Sequence, residues 1–207
     1  LLRTYPNYIT QEGVLGAEYN KWSARITATH NVNLAYTRML LGPMDYTPGG
    51  FRNVAPDKFE PRDRLPFVQT TRGQALAMSV VYDSPFTIVA DSPDTYAESP
   101  QSLDFAASVP TTWDEVRYVT GEIGQSIVIA RRKGDEWWIG ALNNETARTV
   151  KVPLGFLGKG TWKADLRQDG ATPNSIEGSN PSLTATSTLT LKLAASGGTA
   201  SRRTPVQ

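Results

Sequence analysis

Two glutamates, Glu12 and Glu18, stand six positions apart around a Gly13-x-x-Gly16 step, with Tyr19 and Trp22 just downstream. Carboxyl groups can protonate a leaving oxygen, act as base on a water, or attack a carbon, and a set of them can hold a hard cation. A glycine-rich loop is equally a place where carboxylates are merely solvated, and spacing alone does not separate the two. The remaining inventory narrows the chemistry. There is no cysteine, which removes thiolate catalysis and zinc-thiolate sites, and one histidine, His30, which argues against a multi-histidine metal centre. A metal here would be oxygen-bound. Gly-x-Ser-x-Gly is absent, and any Ser-His-Asp arrangement would have to use His30. With 21 Lys and Arg against 20 Asp and Glu, the net charge of +1 provides no field for nucleic acid or an acidic membrane. No apolar run approaches the roughly 20 residues of a membrane span.

The elements that would position these groups fall into two regions. Before residue 109 the chain mixes helical and extended signals with proline-rich loops. Val32 to Leu41 can form a helix stopped by Gly42-Pro43, and Thr70 to Tyr82 is the clearest helix, ended by Ser84-Pro85. Phe86 to Ala90 is a five-residue apolar run that suits a strand buried on both sides. A helix followed by a buried strand is the pattern of a parallel αβ layer.

After Val109-Pro110 the period becomes two. Residues 115–120, 126–130, 136–141, 149–152, 161–165 and 187–193 read as short strands separated by turn-forming groups, an antiparallel sheet or sandwich. Trp137 and Trp138 are expected on opposite faces, one in the core and one outward. Arg131, Arg132 and Lys133 read as a solvated turn. Residues 196–207, lacking an apolar period, read as a frayed tail.

Several motifs in order carry a family resemblance: Tyr5-Pro-Asn7, Glu12-Gly-Val-x-Gly-x-Glu18-Tyr-Asn-Lys-Trp22, His30-Asn-Val-Asn33, Thr37-Arg-Met-Leu40, Gly42-Pro-Met-Asp-Tyr-Thr-Pro-Gly49, Trp113-Asp-Glu115 and Gly121-Glu-Ile-Gly124. From about Leu2 to Leu193 the chain resembles the C-terminal third of glycoside hydrolase family 97, whose members are α-glucosidases and α-galactosidases. The resemblance implies an α/β plus all-β fold: residues 1–108 as the last portion of a (β/α)8 TIM barrel, 109–195 as a C-terminal antiparallel β-sandwich, and 196–207 as a disordered tail. It also implies that Glu18 is the general acid, that Glu12 and Glu18 are calcium ligands, and that His30 and Asn31 can bind sugar hydroxyls. The base or nucleophile and the other calcium ligands would lie upstream, so the chain reads as a piece of a longer enzyme.

The expected partners are an oligosaccharide substrate and either further copies of the chain, as a homo-oligomer, or the missing N-terminal part. The parent family is periplasmic or secreted. Trp22 reads as core and Asp45 as an Asx turn; Arg38 reads as a helix-borne partner for a loop carboxylate, with no catalytic role. A second reading of the whole chain is a non-catalytic carbohydrate-binding or structural β module.

Overall fold

The computed structural model describes residues 4–206. Leu1, Leu2, Arg3 and Gln207, the outermost positions of the expected barrel and tail segments, lie outside the described residues. Four α-helices precede nine strands in them: α1 Ala28–Tyr36, α2 Arg72–Val81, α3 Pro93–Ala97, α4 Pro100–Ser108, then β1 Glu115–Glu122, β2 Ser126–Lys133, β3 Glu136–Asn143, β4 Arg148–Pro153, β5 Thr161–Asp169, β6 Ile176–Ser179, β7 Ser182–Thr184, β8 Thr188–Leu193 and β9 Gly198–Pro205. Every strand pairing is antiparallel. One seven-stranded sheet runs β1-β2-β3-β9-β5-β6, with β7 on β5, and β4 and β8 form a separate hairpin.

The large sheet is covered on both faces. On one, Val128, Ala130, Trp137, Ile139, Trp162 and Leu166 pack against Val152, Leu154, Leu189, Leu191 and Leu193 of the β4-β8 layer. On the other, Ile127, Ile129 and Leu142 meet Val32, Met78 and Val81 of the helices. Helix α2 lies almost on the backbone of β3 and β9. A Cβ at Gly140 would fall 2.9 Å from the Ala77 carbonyl oxygen, and one at Gly198 would fall 2.6 Å from the Gln74 Cα. Glycine at both positions is what permits that approach.

This burial on both sides corrects several expectations. The tail is not frayed: β9 is the central strand between β3 and β5, and Thr199, Ala200, Ser201 and Arg203 are fully buried. Its polar composition hid it from a periodicity search. Trp138 does not face outward either, because its face of the sheet carries the helical layer, where it packs on Phe105 at 5.6 Å and Trp113 at 6.4 Å. Arg131 lies in β2, buried, donating to the Val81 carbonyl oxygen at 2.9 Å and paired with Asp83.

The region before residue 109 does not show the expected barrel segment. Its described residues contain no strand, only two isolated parallel bridges, Gln11 with Met44 and Asn53 with Val68. Phe86 to Ala90 is not a strand: it opens with a bend at Phe86, and Phe86, Ile88 and Val89 are about half exposed. Helix α1 begins four residues earlier than the apolar pattern suggests. The Thr27 hydroxyl caps it, and Glu145, from the β3-β4 turn, accepts from the Thr29 amide at 3.0 Å and from the Thr29 hydroxyl.

Two outcomes follow from this packing. Ending the chain after Gly197 removes the middle of the sheet, so the truncated protein is expected to lose cooperative thermal unfolding by circular dichroism; retention of the wild-type transition would restore the tail reading. Partial desolvation works to raise the pKa of Glu145, but the Thr29 hydroxyl and amide bonds override it and hold the pKa below its ordinary value of 4.5. Its contribution to stability is therefore complete above the unfolded value and disappears as pH falls through the depressed folded value. Glu145→Gln is expected to flatten the stability profile in that acid window, measured by urea unfolding across pH.

Candidate active site

Glu18 lies in a short 3-10 turn, Ala17–Lys21. Gly13 ahead of it has φ of 65°, which glycine adopts without strain. Gly16 is required for another reason: a Cβ there would sit 2.5 Å from Glu18 Oε2 and 2.8 Å from the Tyr46 carbonyl oxygen. The Gly-x-x-Gly spacing thus lets the loop fold the carboxyl group of Glu18 back over its own backbone.

Thr47 Oγ1 stands 2.9 Å from Glu18 Oε2 and 2.6 Å from the Tyr46 carbonyl oxygen. A hydroxyl has one proton to donate and lone pairs to accept. Donating to Glu18, it steadies a carboxylate; donating to the Tyr46 carbonyl, it is free to accept a proton's hydrogen bond from a neutral Glu18. The site can therefore hold either protonation state. Thr47 has φ of 57°, a costly conformation for a β-branched residue and one that tends to survive at functional sites.

Glu18, Thr47, Asn20, Lys21 and Asp91 line a cavity of about 280 Å³. Asn20 is buried, and neither of its amide atoms has a partner or meaningful accessible surface. Asp91 is already engaged. It is ion-paired with Arg52 and accepts from the Phe51 amide at 2.8 Å and the Ser92 amide at 2.9 Å. A separate cavity of about 300 Å³ beside α2 and α4 has no carboxylate in its lining, and we assign it no chemistry.

The other expected site residues are distributed differently. Glu12 is exposed and outside that lining, and it is the backbone carbonyl of Glu12 that is engaged, by Arg38 Nε at 3.0 Å and Nη2 at 2.7 Å. Arg38 also donates to the carbonyls of Gln11 and Gly42, so it clamps two loops and does not pair with a carboxylate. His30 lies in the first turn of α1, and its Nε2 donates to the Leu15 carbonyl oxygen at 2.9 Å, tying down the glutamate loop.

Asn31 corrects the sugar-binding expectation. It is fully buried, its amide donates to Gln74 Oε1 at 2.9 Å, and its Oδ1 accepts from the Tyr46 hydroxyl at 2.5 Å. With no exposed surface and a bond at each end of its amide inside the protein, Asn31 stands outside the cavity lining. Burial, with the nearby charge of Glu18, drives the Tyr46 pKa far above the ordinary phenol range and keeps this donor protonated. Trp22 is also corrected: it is 62% exposed, with Tyr19 edge-on at 5.7 Å, and is not core. Asp45 donates its amide to the Gln11 carbonyl, and its Oδ1 is buried without a partner. Asn20 and Thr47 fall within the Glu12–Trp22 and Gly42–Gly49 motifs, but a threonine's φ and an asparagine's lost partners leave no mark in a sequence.

Calcium takes 6–8 oxygen ligands. Among the described residues no three His, Asp or Glu side chains gather into a metal-holding group, so Glu12 and Glu18 do not make a calcium site by themselves.

Fold and cavity define a class: a β-sandwich packed against a helical, loop-rich region in which two carboxyl groups, Glu18 and the ion-paired Asp91, line a largely apolar cavity. The comparisons name the family. Residues 112–203 match the family model described as "Glycosyl-hydrolase 97 C-terminal, oligomerisation". A retaining α-galactosidase of Bacteroides thetaiotaomicron is 41% identical over 172 residues, 82% of this chain and 26% of that protein. A probable retaining α-galactosidase of Streptomyces bingchenggensis is 36% identical over 197 residues, 95% of this chain and 28% of that one. A family 97 enzyme of Pseudoalteromonas sp. strain K8, solved with acarbose, superposes on 100% of this chain and 33% of its own with a TM-score of 0.90 and 38% identity. This chain belongs to glycoside hydrolase family 97, and it spans about a quarter to a third of the length of these relatives.

If Asn31 is structural, Asn31→Ala strands the Tyr46 hydroxyl and the Gln74 carbonyl in the interior. The expected loss is about 2–4 kcal/mol in urea unfolding, from one to two unsatisfied groups. A variant with unchanged stability but weakened sugar binding would return Asn31 to the ligand site.

Proposed function

We propose that this chain is the part of an α-glycoside hydrolase that supplies the general acid, Glu18, with α-galactosides the first substrate class to expect and α-glucosides the second. The observation that carries the reading is Glu18 on the lining of the cavity of about 280 Å³, its carboxyl group bonded to a hydroxyl that can either donate to it or accept from it. The identity to two relatives named as retaining α-galactosidases supports the galactoside preference. In the reaction, Glu18 gives its proton to the glycosidic oxygen as the bond from that oxygen to the anomeric carbon breaks. In a retaining enzyme a second carboxylate, about 5–5.5 Å from the first, takes up the sugar covalently, and water later releases it. Asp91 is committed to Arg52, so the nucleophile would come from a segment other than the described residues. Residues 1–108 would then be the end of a barrel completed by that segment, and the exposed run Phe86–Ala90, with exposed Leu40 and Leu41, is apolar surface suited to its contact.

Calcium belongs to the same proposal. Glu12 and Glu18 would furnish part of the ligand shell and the remainder would come from the same additional segment. The matched 112–203 domain, by its family description, is where self-association of this protein would occur. The module reading is favoured by no comparable observation.

The test uses leaving-group chemistry in the full gene product. A phenolate with a low pKa departs without a proton, whereas a sugar alkoxide does not. Glu18→Gln is therefore expected to lower kcat/KM for an α-linked disaccharide by about 10²–10⁴-fold and to spare 4-nitrophenyl α-galactoside by comparison. Equal losses on both substrates would mean that Glu18 is structural, and no loss on either would favour the module reading. Removing calcium with a chelator is expected to abolish turnover of both substrates, and full activity without it would eliminate the ion from the proposal.

A further inference from the structure

Two of the sequence motifs, Trp113-Asp-Glu115 and Gly121-Glu-Ile-Gly124, take no part in the Glu18 site; they bracket β1 and its turn into β2. That hairpin holds all the large apolar side chains left exposed among the described residues of the matched domain, 112–203: Val116 at 52%, Tyr118 at 57% and Ile123 at 57%. β1 is also an edge of the seven-stranded sheet, paired with β2 alone. The opposite edge, β6 and β7, shows Glu177, Gly178, Ser179 and Ser182 to solvent. Apolar exposure in this domain is therefore confined to one side, and a contiguous apolar patch on a folded domain marks a contact site.

The three side chains form one fixed surface. Val116 and Tyr118 lie opposite Arg131 and Ile129, on the helix-side face of the sheet; the helices cover Ile129 and leave the other two open. The Tyr118 hydroxyl donates to the Gly121 carbonyl oxygen at 2.7 Å, which lays the ring toward the turn that carries Ile123, and Tyr36 packs edge-on against it at 6.3 Å. The turn is tied to α1 by the Gly124 amide, which donates to Asn33 Oδ1 at 2.8 Å. A ring already held in place loses little freedom on association.

Charge adds a direction. Arg117 and Glu122, both exposed, stand toward the two ends of β1 on the other face, opposite Ala130 and Ser126. A two-fold axis that runs β1 antiparallel to its copy sets Arg117 beside Glu122 of the partner subunit, and does so twice. The same axis brings the apolar side chains together on the helix-side face. The β-bulge between Tyr118 and Thr120 interrupts the edge, so side chains carry this contact and a continuous backbone ladder does not.

We propose that β1 and its turn, with Val116, Tyr118 and Ile123 at the centre, form the surface by which two copies of this protein associate about a two-fold axis. The occupant is a second copy because the patch falls in the domain whose family description names oligomerisation, and because a two-fold contact must be self-complementary, as this charge pattern is. The inference rests on the self-association reading above and adds the surface, which the family description does not give. It is independent of the role of Glu18.

The test is sedimentation equilibrium of the full gene product across protein concentration, for the wild type, for Val116→Lys with Ile123→Lys, and for Ser182→Lys on the opposite edge. The wild type is expected to be a dimer, the double variant to have its dissociation constant raised about 30-fold or more, as when an interface hot spot is lost, and Ser182→Lys to match the wild type. A wild type that is monomeric throughout overturns the self-association reading and this surface together. A dimer whose dissociation constant is unmoved by the double variant, or moved as far by Ser182→Lys, keeps that reading and overturns the surface. Unchanged association with a lowered unfolding midpoint in the double variant overturns it as well, and assigns the patch to a contact with the rest of the enzyme. If the double variant does not fold by circular dichroism, Ile123→Ser in the turn takes its place, with a rise of about tenfold expected; no rise overturns the surface.

Discussion

The structure depends on how closely helix α2 can approach the backbone of β3 and β9. Gly140 and Gly198 leave no room for a side chain there, and Gly73 on the helix is equally constrained, since a Cβ would meet the Gly198 carbonyl oxygen at 2.4 Å. That contact brings Gln74 within reach of the Asn143 and Gly197 carbonyls, to which its amide donates at 2.8 and 3.1 Å. Gln74 in turn accepts from Asn31, Asn31 accepts from Tyr46, and Tyr46 precedes the strained Thr47 that touches Glu18. A continuous run of buried polar contacts therefore joins the β-sandwich to the carboxyl group at the cavity. Each member is satisfied by the next, which is the condition under which buried polar groups rigidify a site and do not weaken it.

This arrangement explains why residues that a family pattern associates with substrate serve the scaffold. Asn31 and His30 keep the glutamate loop in place, one from beneath through Tyr46 and one directly through the Leu15 carbonyl. Arg38 does the same from the other side through Gln11 and Gly42. Of the loop's side chains, Glu18 lines the cavity and Trp22 is exposed, which leaves these two to meet a ligand. In physical terms the loop is a holder for one acid, built from His30 and Arg38 side chains that bond to backbone carbonyls and from Asn31, which bonds to the Tyr46 hydroxyl.

The β region was legible because its strands alternate β-branched and aromatic residues with polar ones, so β1 to β5 and β8 follow from period two alone. Three strands escaped it for separate reasons. β6 and β7 have only four and three residues, too short for a period to register. β9 is long, but it alternates threonine, serine and arginine on a face that the sequence gives no reason to bury. Helix α2 was legible because its apolar face is broad and Thr71 caps it. Phe86–Ala90 read as a buried strand because it is apolar, yet apolarity states a demand for cover and not that the cover is present. At the site, the Gly-x-x-Gly spacing and the carboxylates were visible in the sequence. The hydroxyl that holds Glu18 was not, since it comes from a residue 29 positions away whose backbone angle no local pattern announces.

The central claim is that the carboxyl group of Glu18 meets the oxygen of the bond to be broken. The most direct measurement is a crystal structure of the full gene product with a thio-linked α-galactosyl disaccharide, which binds but resists cleavage. The expected result is the Glu18 carboxyl group within hydrogen-bond reach of the bridging sulfur, several tenths of an ångström beyond the roughly 2.6–3.2 Å expected for an oxygen there, with Thr47 still bonded to it. A sugar bound elsewhere, with Glu18 turned away from the bridging atom, would contradict it.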